Sequence, residues 1–417
     1  MMRISSNTIF DSNVSAMEQQ QARLLQTQQQ VSTGRRIITA ADDPAAAARA
    51  LDIAQSDATN TQFTTNRNAA RNTLSLAEST LQSVTTLIQD VKTAVIDTGN
   101  GTHTDSDRQT LATLLNGRLQ ELVGLANSTD GEGNYLFSGF QSRTQPFVDT
   151  PAGVSYFGDD GQRNVQVSAT RQIASSDSGA DVFMRIKNGN GTFVTQPGTN
   201  TVTPGPNLGT GVISMGSVAN PPPTLPLNNY SVAFTVIPGV GGAPAVTTYN
   251  VTNTTTATIV STGNAYVSGQ TINFAGMQFD IQGAPANGDT FTVTPSVNES
   301  VFKTISNLIT VLNVPVVTAN GGKTNLTNSL NRGLTNLDNA LNNILTVQTT
   351  QGLRLNEIDS LQVTGDSLGS QFKQALSQLQ DVDYNKAVSD LTQQQMSLQA
   401  AQKTFAKISD LSLFSYL

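Results

Sequence analysis

Cysteine and tryptophan are absent from the chain, and the only histidine is His103. The absence of cysteine excludes disulfides, thiolate nucleophiles and cysteine-bound zinc. A single histidine cannot complete a metal site or a nucleophile set, and the HExxH motif of zinc proteases is impossible. His103 lies in a loop of Gly, Thr and Asp residues, where we interpret it as a solvent-facing polar side chain. The sequence therefore predicts no catalytic residue, no metal and no cofactor.

Charge is scarce as well. Charged residues make up 13% of the 417 residues, about half the usual share, and the formal net charge is −7. No basic patch stands out, so nucleic acid and anionic membranes are poor partners. No apolar run is long enough to span a membrane, and the N-terminus lacks the apolar segment of a cleavable secretory signal. The low charge and the abundance of Thr, Asn, Gln and Gly favour an exported surface protein.

Three short stretches that could carry chemistry have structural explanations. Asp42 and Asp43 could be paired carboxylates, but their position before Pro44 is typical of helix capping. The Asp-Asp-Gly stretch at 159–161 lacks the alternating oxygen ligands of a calcium loop, and we interpret it as a hairpin turn. The Gly-Asn-Gly stretch at 189–191 is followed by no Lys-Ser/Thr and no helix, so it is not a phosphate loop.

Large apolar residues repeat every seven positions at both ends of the chain, which is typical of a coiled-coil seam. The N-terminal seam consists of Phe10, Met17, Leu24 and Val31, completed by Val14, Gln21 and Gln28, and the C-terminal seam consists of Tyr384, Leu391, Leu398 and Phe405, completed by Ala387, Gln394, Ala401 and Ile408. A stripe with so little else to bury against needs a partner helix. We therefore expect the termini to meet each other and the termini of neighbouring subunits. The predicted assembly interface comprises Phe10, Val14, Met17, Leu24, Val31, Tyr384, Leu391, Leu398, Phe405 and Ile408.

These terminal helices are weak on their own. Isolated helices of this kind are marginal in water, and glutamine in several seam positions weakens their pairing further. We therefore expect both ends to be largely disordered in the free monomer and to fold when subunits assemble. Amide exchange in the monomer tests this expectation, since strong protection at Met17 and Leu398 would contradict it.

Helical signals dominate the first third of the chain. A first helix is predicted at about 7–31 and is ended by Gly34. Arg35 and Arg36 are expected to complement its C-terminal end, with a subunit contact as the alternative. A second helix is predicted to begin at Pro44, with Asp43 as its N-cap, and to end at the glycines at 99–101, which would make it about 80 Å long at ~1.5 Å per residue. That length suits a rod rather than a globular domain.

Ser106 and Gln109 predict a capping box for a third helix. The middle of the chain, after this helix, has a different pattern. The stretch at 156–157 and the stretch at 163–168 then predict a β-hairpin. Alternating apolar residues predict further strands, and helical spacing returns after Asn298.

The sequence therefore predicts a mainly α protein with an inserted β-rich domain. The outgoing and returning helices are expected to pack antiparallel as a long rod or bundle, with the β insertion at the tip and the paired coiled-coil termini at the base. The predicted domains are a terminal coiled coil (1–42 with 376–417), a helical rod (43–145 with 298–375) and a β-rich outer domain (146–297).

Short motifs at both ends resemble those of bacterial flagellins and their relatives. The motifs are Val-Ser-Thr-Gly-Arg-Arg-Ile at 31–37, Ala-Ala-Asp-Asp-Pro at 40–44, Leu-Asp-Asn-Ala-Leu at 337–341 and Asp-Val-Asp-Tyr at 381–384. The resemblance covers residues 1–145 and 300–417. Each motif alone is moderately specific, but in this order at both termini they are strongly so.

Other motifs resemble the hook-associated junction branch of that superfamily more than filament flagellin. They are Asn-Tyr-Leu-Phe-Ser-Gly-Phe at 134–140, Thr-Gln-Pro-Phe at 144–147, Tyr-Phe-Gly-Asp-Asp-Gly-Gln-Arg at 156–163, Gly-Leu-Arg-Leu-Asn-Glu at 352–357 and Leu-Phe-Ser-Tyr-Leu at 413–417. The Asn-Gly-Asp-Thr-Phe stretch at 287–291 resembles a motif shared by hook-associated β domains.

The resemblance implies a structural role in the bacterial flagellum. Subunits would leave the cell unfolded through the flagellar type III export channel, without a cleaved signal. At the hook–filament junction they would form a thin extracellular layer between hook-associated protein 1 and the first flagellin subunits. Before export a flagellar chaperone would cover Leu391, Leu398, Phe405 and Ile408, because an unpaired apolar stripe self-associates.

Two alternatives follow from the same residues. A filament flagellin would share the fold and the Ala-Asp-Asp motif but occupy another place in the organelle. A secreted enzyme or adhesin would instead use the β insertion to catalyse or to bind. The single histidine and the lack of clustered carboxylates weigh against catalysis.

Overall fold

The computed structural model describes residues 6–99, 103–223, 227–242, 244–316 and 321–414, without the side chains of 6, 7, 9 and 408–414. Within these residues, long helices at both ends flank a β-rich middle. The helices are α1 (Ser6–Thr33), α2 (Pro44–Thr98), α3 (Asp105–Ala126), α4 (Val301–Asn313), α5 (Gly322–Gln380) and α6 (Tyr384–Phe414). The predicted architecture of long terminal helices around a central β-rich region is confirmed.

The chain divides into two compact units. The first comprises the chain up to Arg67, the short segment Val167–Ala169 and the chain from Asp359 onward, and the second comprises Asn68–Gln166 and Thr170–Ile358. Helices α2 and α5 therefore contribute to both units. The division into terminal, rod and outer domains at residues 42, 145, 297 and 375 stays a prediction.

In the first unit a buried arginine joins α2 to α5. Arg67 is 2% exposed, and it donates hydrogen bonds to the side chains of Gln362 (2.9 Å) and Thr64 (2.8 Å) and to the carbonyl of Val167 (2.9 Å). Gly365 makes room for it, because a Cβ there would lie 2.2 Å from Nη2 of Arg67. A buried cation is tolerated only when its donors are satisfied. Arg67 therefore holds α2, α5 and the Val167 segment together.

The helical core of the second unit lies between α2, α3, α4 and α5. Apolar residues at helical spacing are buried there at Leu81, Val84, Leu87, Ile88, Val91, Val95, Leu115, Leu122, Ile305, Leu308, Leu312, Leu330 and Leu337, whereas Leu114 and Leu345 of the same rows are exposed. Phe147 contacts the rings of Phe183 and Phe302 at centroid distances of 5.4 and 5.2 Å, and Phe183 contacts Phe137 at 5.4 Å. These aromatic contacts anchor the irregular chain at 137–183 on the helices.

Two helix starts show how capping sets the boundaries. Asp43 accepts a hydrogen bond from the Ala46 N–H (3.0 Å), and α2 begins at Pro44 as predicted. For α3 the predicted capping box of Ser106 and Gln109 is wrong. The box is formed by Thr104 and Asp107. Thr104 has the extended backbone of an N-cap, so Ser106 already lies in the first helical turn.

The first four strands form two hairpins. β1 (Phe147–Thr150) pairs with β2 (Gly153–Tyr156), and β3 (Asn164–Ser168) pairs with β4 (Arg171–Ala174). The predicted pairing of 156–157 with 163–168 is therefore wrong. The chain between them does not turn back on itself, because the N–H of Asp159 donates to the carbonyl of Ser138 instead (3.2 Å).

Of the remaining strands, nine build a sandwich with one apolar core and four form two separate pairs. The remaining strands are β5 (Ile186–Lys187), β6 (Phe193–Pro197), β7 (Thr199–Asn200), β8 (Gly205–Pro206), β9 (Val212–Ile213), β10 (Ser217–Val218), β11 (Tyr230–Ile237), β12 (Val246–Asn253), β13 (Thr258–Ala265), β14 (Thr271–Phe274), β15 (Met277–Gln282), β16 (Thr290–Pro295) and β17 (Asn298–Glu299). One antiparallel sheet has the order β13-β12-β11-β16-β6, and the other has the order β10-β15-β14, with β9 beside β15. The alternating residues of β11, β15 and β16 share the core, which contains Tyr230, Val232, Phe234, Met277, Phe279, Ile281, Phe291 and Val293.

Most of the sandwich is built from uncharged chain. From Asn188 to Phe279 the sequence contains no Asp, Glu, Lys, Arg or His. The edge strand β13 therefore has no charged side chain to discourage pairing with another strand. Its pairing with β12 is instead interrupted by register shifts on either side of Val251, and such irregularity also protects an edge.

A row of asparagines on α5 attaches the insertion to the helices. Asn325 donates to the carbonyl of Asn207 (3.0 Å), Asn328 to that of Gly211 (3.1 Å), Asn339 to those of Lys187 (2.9 Å) and Gly189 (2.8 Å), and Asn343 to those of Asp181 (2.8 Å) and Val182 (2.9 Å). Asn328 also accepts from the N–H of Ile213 (2.9 Å), and Asn336 from that of Gly189 (3.0 Å). Steps of three, four and seven or eight residues keep these amides on one face of the helix. The helix thus satisfies backbone groups of irregular chain between 181 and 213.

Candidate assembly interface

The two ends of the chain form an antiparallel helix pair in the first unit. The rings of Phe10 on α1 and Phe405 on α6 lie 5.1 Å apart. At the other end of the pair Gly34 lies against Tyr384, where a Cβ on the glycine would be 2.9 Å from the tyrosine hydroxyl. Seven-residue steps from the Phe10 contact place Met17 level with Leu398, and Leu24 level with Leu391. The structure therefore brings the two predicted seams together within one chain.

The predicted interface residues are only partly covered by this pairing. Val14, Met17, Leu24, Val31, Leu391, Leu398 and Phe405 are half-buried. Phe10 is 51% exposed and Tyr384 is 54% exposed. The side chain of Ile408 lies outside the described residues. Since α1 and α6 cover each other on one side only, each of these residues keeps part of its surface in water.

The second row of the N-terminal seam differs from the prediction by one residue. Gln21 and Gln28 are exposed, whereas Gln20 is half-buried and Thr27 is buried. The second row thus mostly lies three residues after each residue of the Phe10 row, where we predicted four. In a heptad the spacing between the two rows alternates between three and four residues. The polar residues at 20, 21, 27 and 28 do not show which spacing is used. The second row of α6, at Ala387, Gln394 and Ala401, lies in the seam as predicted.

Three apolar residues that the heptad pattern does not include also lie on the pair. Leu25, Val388 and Met396 are exposed by 53%, 49% and 60%. They escaped sequence reasoning because they fall outside the seven-residue rows. Two features together identify them: the side chain is apolar, and the partner helix of the same chain leaves it exposed to water. They extend the apolar surface of the pair beyond its own seam.

The chain turn between α1 and α2 is fastened to the break between α5 and α6. Val382 donates its N–H to the carbonyl of Gly34 (3.0 Å), and Arg36 donates its N–H to the carbonyl of Gln380 (2.6 Å). The guanidinium of Arg36 also donates to the carbonyl of Leu379 (2.8 Å). The expectation that Arg36 serves the end of α1 is therefore wrong, because the unpaired carbonyls it meets belong to the end of α5.

Asp42 and Asp43 have the structural role that the sequence suggests. Asp42 accepts hydrogen bonds from the backbone N–H groups of Thr39 (2.8 Å) and Ile38 (3.0 Å), and these lower its pKa. The Ala46 N–H likewise lowers the pKa of Asp43. Both carboxylates therefore stabilise the α1–α2 turn and the start of α2 in their ionised form.

The motifs at 134–140 and 156–163 form one interlocked loop structure in the second unit. Asp159 Oδ1 accepts from the N–H groups of Phe140 (2.8 Å) and Gly161 (2.8 Å), and the Phe140 N–H is the main cause that lowers the pKa of Asp159. Gly139 has a φ of +73°, and a Cβ there would lie 2.1 Å from Asp159 Oδ1. Glycine is therefore required at 139 by both conformation and space.

The motif at 352–357 fastens the chain at 171–177 to α5. Arg354 donates to one carboxylate oxygen of Asp177 (2.9 Å), and Gln351 donates to the other (2.9 Å). Glu357 accepts two hydrogen bonds from Arg171 (2.5 and 2.8 Å). A two-point pair of this kind fixes geometry as well as distance.

The motif at 287–291 contains a buried carboxylate that accepts hydrogen bonds from the loops of the sandwich. Asp289 is 1% exposed. It accepts from the N–H groups of Leu208 (2.8 Å), Gly209 (2.9 Å) and Ala286 (2.8 Å) and from the side chain of Asn200 (2.8 Å). Four donors compensate the cost of burying the charge.

Within the described parts of the chain, no cluster of three or more His, Asp or Glu residues could hold a metal ion. His103 lies 3.6 Å from the carboxylate of Asp97. None of the helices described has a segment apolar enough to cross a membrane.

The ends of the chain match two family profiles. The Bacterial flagellin N-terminal helical region matches residues 4–142, and the Bacterial flagellin C-terminal helical region matches residues 334–417. Together with the antiparallel terminal helices, these matches define the class as a flagellin-type structural protein of the flagellum.

Individual relatives narrow the class. The flagellar hook-associated protein 3 of Salmonella typhimurium is 28% identical over 413 residues, which cover 99% of each chain. The crystal structure of flagellar hook-associated protein 3 from Legionella pneumophila has a TM-score of 0.70 and 32% identity, covering 78% of this chain and 98% of that one. That of FlgL from Xanthomonas campestris has a TM-score of 0.69 and 30% identity, covering 78% and 99%.

The chain belongs to the family of flagellar hook-associated protein 3, the junction protein FlgL. Its role is structural, at the junction between hook and filament, and its partners are flagellar components. The prediction of a junction protein rather than a filament flagellin is confirmed.

Proposed function

We propose that copies of this chain assemble with one another through α1 and α6 and join hook-associated protein 1 to the first flagellin subunits. The observation that carries this proposal is the incomplete burial of the α1–α6 pair. Phe10, Leu25 and Met396 remain more than half exposed although they are large and apolar. Burying such side chains against neighbouring subunits is favourable, because it removes apolar surface from water.

The interface residues take their roles from this arrangement. The rows of Phe10, Met17, Leu24 and Val31 and of Tyr384, Leu391, Leu398 and Phe405 join α1 to α6 and contribute their remaining surface to neighbouring copies, with Val14 and Ile408 completing the set. Residues 1–42 and 376–417 form the inner coiled-coil layer of the assembly. Residues 43–145 with 298–375 form the surrounding wall, and residues 146–297 form the outer surface.

The same helices explain how the chain is handled before assembly. The chain is exported unfolded and functions outside the cell by packing and not as an enzyme. An export chaperone covers Leu391, Leu398, Phe405 and Ile408 in the cytoplasm. This cover is needed because an uncovered apolar stripe on α6 would pair with other copies too early.

Seeded assembly with the variant Leu398→Asp tests the proposal. Purified full-length protein is added to hook fragments already capped with hook-associated protein 1 and is observed by electron microscopy. The unmodified protein should add one short layer, stop, and then accept flagellin. Leu398→Asp should leave the second unit folded and fail to add, because a charge would be buried in the helix pair.

Gln270→Asp is the control, since it adds the same charge at an exposed position of the β insertion, outside the terminal helices. It should add its layer as the unmodified protein does. Normal layer formation by Leu398→Asp would contradict the proposal, and growth of the unmodified protein into long filaments would contradict the junction layer.

A further inference from the structure

The turn between α1 and α2 and the break between α5 and α6 form one joint, made of residues 34–36 and 380–382. Within it Arg35 and Asp381 pair as an antiparallel bridge, which two main-chain N–H···O hydrogen bonds complete. Because main-chain groups make this pairing, it does not require the burial of apolar surface. The joint therefore holds the two halves of the chain together independently of the seam.

Side chains beside the joint stabilise it without the rest of the terminal helices. Gln30 donates to the carbonyl of Arg36 (2.8 Å). Asp383 accepts from the N–H of Lys386 (3.2 Å) and so caps the start of α6. These groups lie in the last turn of α1, in the joint itself or in the first turn of α6. The joint can therefore be complete while the remainder of α1 and of α6 are apart.

Contacts between α2 and α5 bring the two halves of the joint close to each other. The side chain of Asn60 donates to the carbonyl of Gly365 (2.8 Å), near the buried Arg67. Pro44 precedes Asn60 by about as many residues as Gln380 follows Gly365. The two helices therefore lead from this contact to the joint over nearly equal lengths, roughly 23 Å each. Closing the joint costs little chain entropy, since its two halves are already neighbours.

The α1–α6 pair continues from the joint in the same register. The contacting rings of Phe10 and Phe405 lie almost equally far along the chain from Arg35 and Asp381, so no residues have to loop out between them. The apolar rows alone do not select this register, because sliding α6 by seven residues pairs apolar with apolar side chains again. Such a slide would break the joint. The joint therefore decides which apolar residues meet.

The packing of the pair is tightest next to the joint. Among the described side chains of α1 and α6, only Thr27 (8% exposed) and Ala387 (6% exposed) are buried. Both lie within about two helical turns of the joint. At the far end Phe10 is 51% exposed. The contacts that bury most of each side chain are thus the ones that the joint brings together first.

Chain entropy also favours closure from the joint. Bringing Phe10 directly to Phe405 closes about 60 residues of chain outside α2 and α5, whereas bringing Thr27 to Ala387 after the joint has formed closes about 14. The weight of a closed loop falls as its length to the power 3/2, so the shorter loop is favoured roughly tenfold. Because helices gain most of their stability from packing, α1 and α6 then extend as each further contact forms.

We propose that the joint at 34–36 and 380–382 is the point from which the terminal helix pair closes. The joint forms in the free chain while α1 and α6 are apart, and it sets their register. The pair then closes from the joint toward the two chain ends. This device operates within one chain, so it holds or fails separately from the proposed assembly.

The first test removes the main-chain donors of the joint from the full-length protein, kept dilute enough to remain monomeric. Arg36→Pro/Val382→Pro deletes both N–H groups that complete the bridge. Proline is compatible with these positions, because the residues before them, Arg35 and Asp381, pair as extended chain. Arg36→Ala/Val382→Ala is the matched control, since it removes the same side chains and keeps both N–H groups.

Engineered cysteine pairs report the register, because the chain itself contains no cysteine. Met17→Cys/Leu398→Cys reports the observed register, and Met17→Cys/Leu391→Cys reports a slip by seven residues. In the alanine background the first disulfide should form about tenfold faster than the second. In the proline background the two rates should agree within about twofold, because the apolar rows fit both registers. Urea unfolding of the second unit should be the same in both backgrounds.

Two outcomes of this test would overturn the proposal. If the proline background keeps its preference for the observed register, the seam selects the register without the joint. If the alanine control loses the preference as well, side chains and not the main-chain bridge are responsible.

The second test measures the order of closure with the joint intact. Val31→Cys/Tyr384→Cys lies beside the joint, and Phe10→Cys/Phe405→Cys lies in the same seam rows at the far end. In the monomer the disulfide beside the joint should form about tenfold faster than the far one. Equal rates, or no disulfide at either end, would overturn the proposal. Neither test uses hook fragments, so a failure to add a junction layer is a separate result.

Discussion

The β sandwich and the terminal helix pair bury their apolar residues to very different extents. In the sandwich the rings of Phe193, Phe234 and Phe291 are almost completely buried within one chain. In the helix pair Phe10 and Phe405 touch each other, yet Phe10 keeps half of its surface in water. The sandwich therefore completes its packing within a single chain, whereas the helix pair leaves apolar surface that the proposed assembly would cover.

The largest expected effect comes from shortening one phenylalanine to alanine in each of these two regions. Phe291→Ala should destabilise the second unit by about 3–5 kcal/mol, because a fully buried ring leaves a cavity. Phe405→Ala should leave the unfolding midpoint of the monomer almost unchanged and prevent incorporation into the junction layer. Urea unfolding and seeded assembly measure the two effects. A similar loss of monomer stability in both variants would show that the terminal pair is already a finished core.

A smaller effect is expected where the first unit is tightly packed. Gly365→Ala places a methyl group against the guanidinium of Arg67 and should cost about 1–3 kcal/mol through overpacking. Gly352→Ala on the same helix is the control, because a Cβ there meets no atom within 4 Å. Thermal unfolding of both variants compares them. An unaffected Gly365→Ala would mean that the first unit is loosely packed throughout, not only at its terminal pair.

The smallest effect concerns pH. Backbone N–H donors lower the pKa of Asp42 and Asp43 in the first unit and of Asp159 in the second. A lowered pKa stabilises the fold above the unfolded value of about 4 and loses that contribution as pH falls through the folded value. After correction for the intrinsic exchange rate at each pH, amide protection should therefore fall between pH 5 and pH 3 at 38–46 and at 140–161. Protection inside β11, β12 and β13, which carry no charged residue, should change least, and an equal loss of protection there would contradict this account.

Much of this contrast could be predicted from sequence, because the signals are periodic. The seven-residue rows of α6 and the alternating residues of β11, β15 and β16 place apolar side chains on one face, and the structure uses those faces. Strong patterns of this kind leave few alternative arrangements.

The errors have a common physical cause. In each of three features that were predicted wrongly, two similar polar groups could fill the same role. These features are the second row of α1, the capping box of α3 and the first hairpin. Gln20 and Gln21 have the same chemistry, and so do Thr104 and Ser106. Which one is used depends on backbone geometry and on distant partners such as Ser138, and local sequence does not encode that.

The asparagine row on α5 has a consequence for how the insertion can diverge. Asn325, Asn328, Asn336, Asn339 and Asn343 bond mainly to carbonyl and N–H groups of the main chain. Every amino acid supplies the same carbonyl, so the side chains between 181 and 213 can be exchanged without removing these attachments. The helix holds the path of the insertion and not its composition. The exposed surface of the insertion can therefore change in evolution while its hydrogen bonds to α5 are kept.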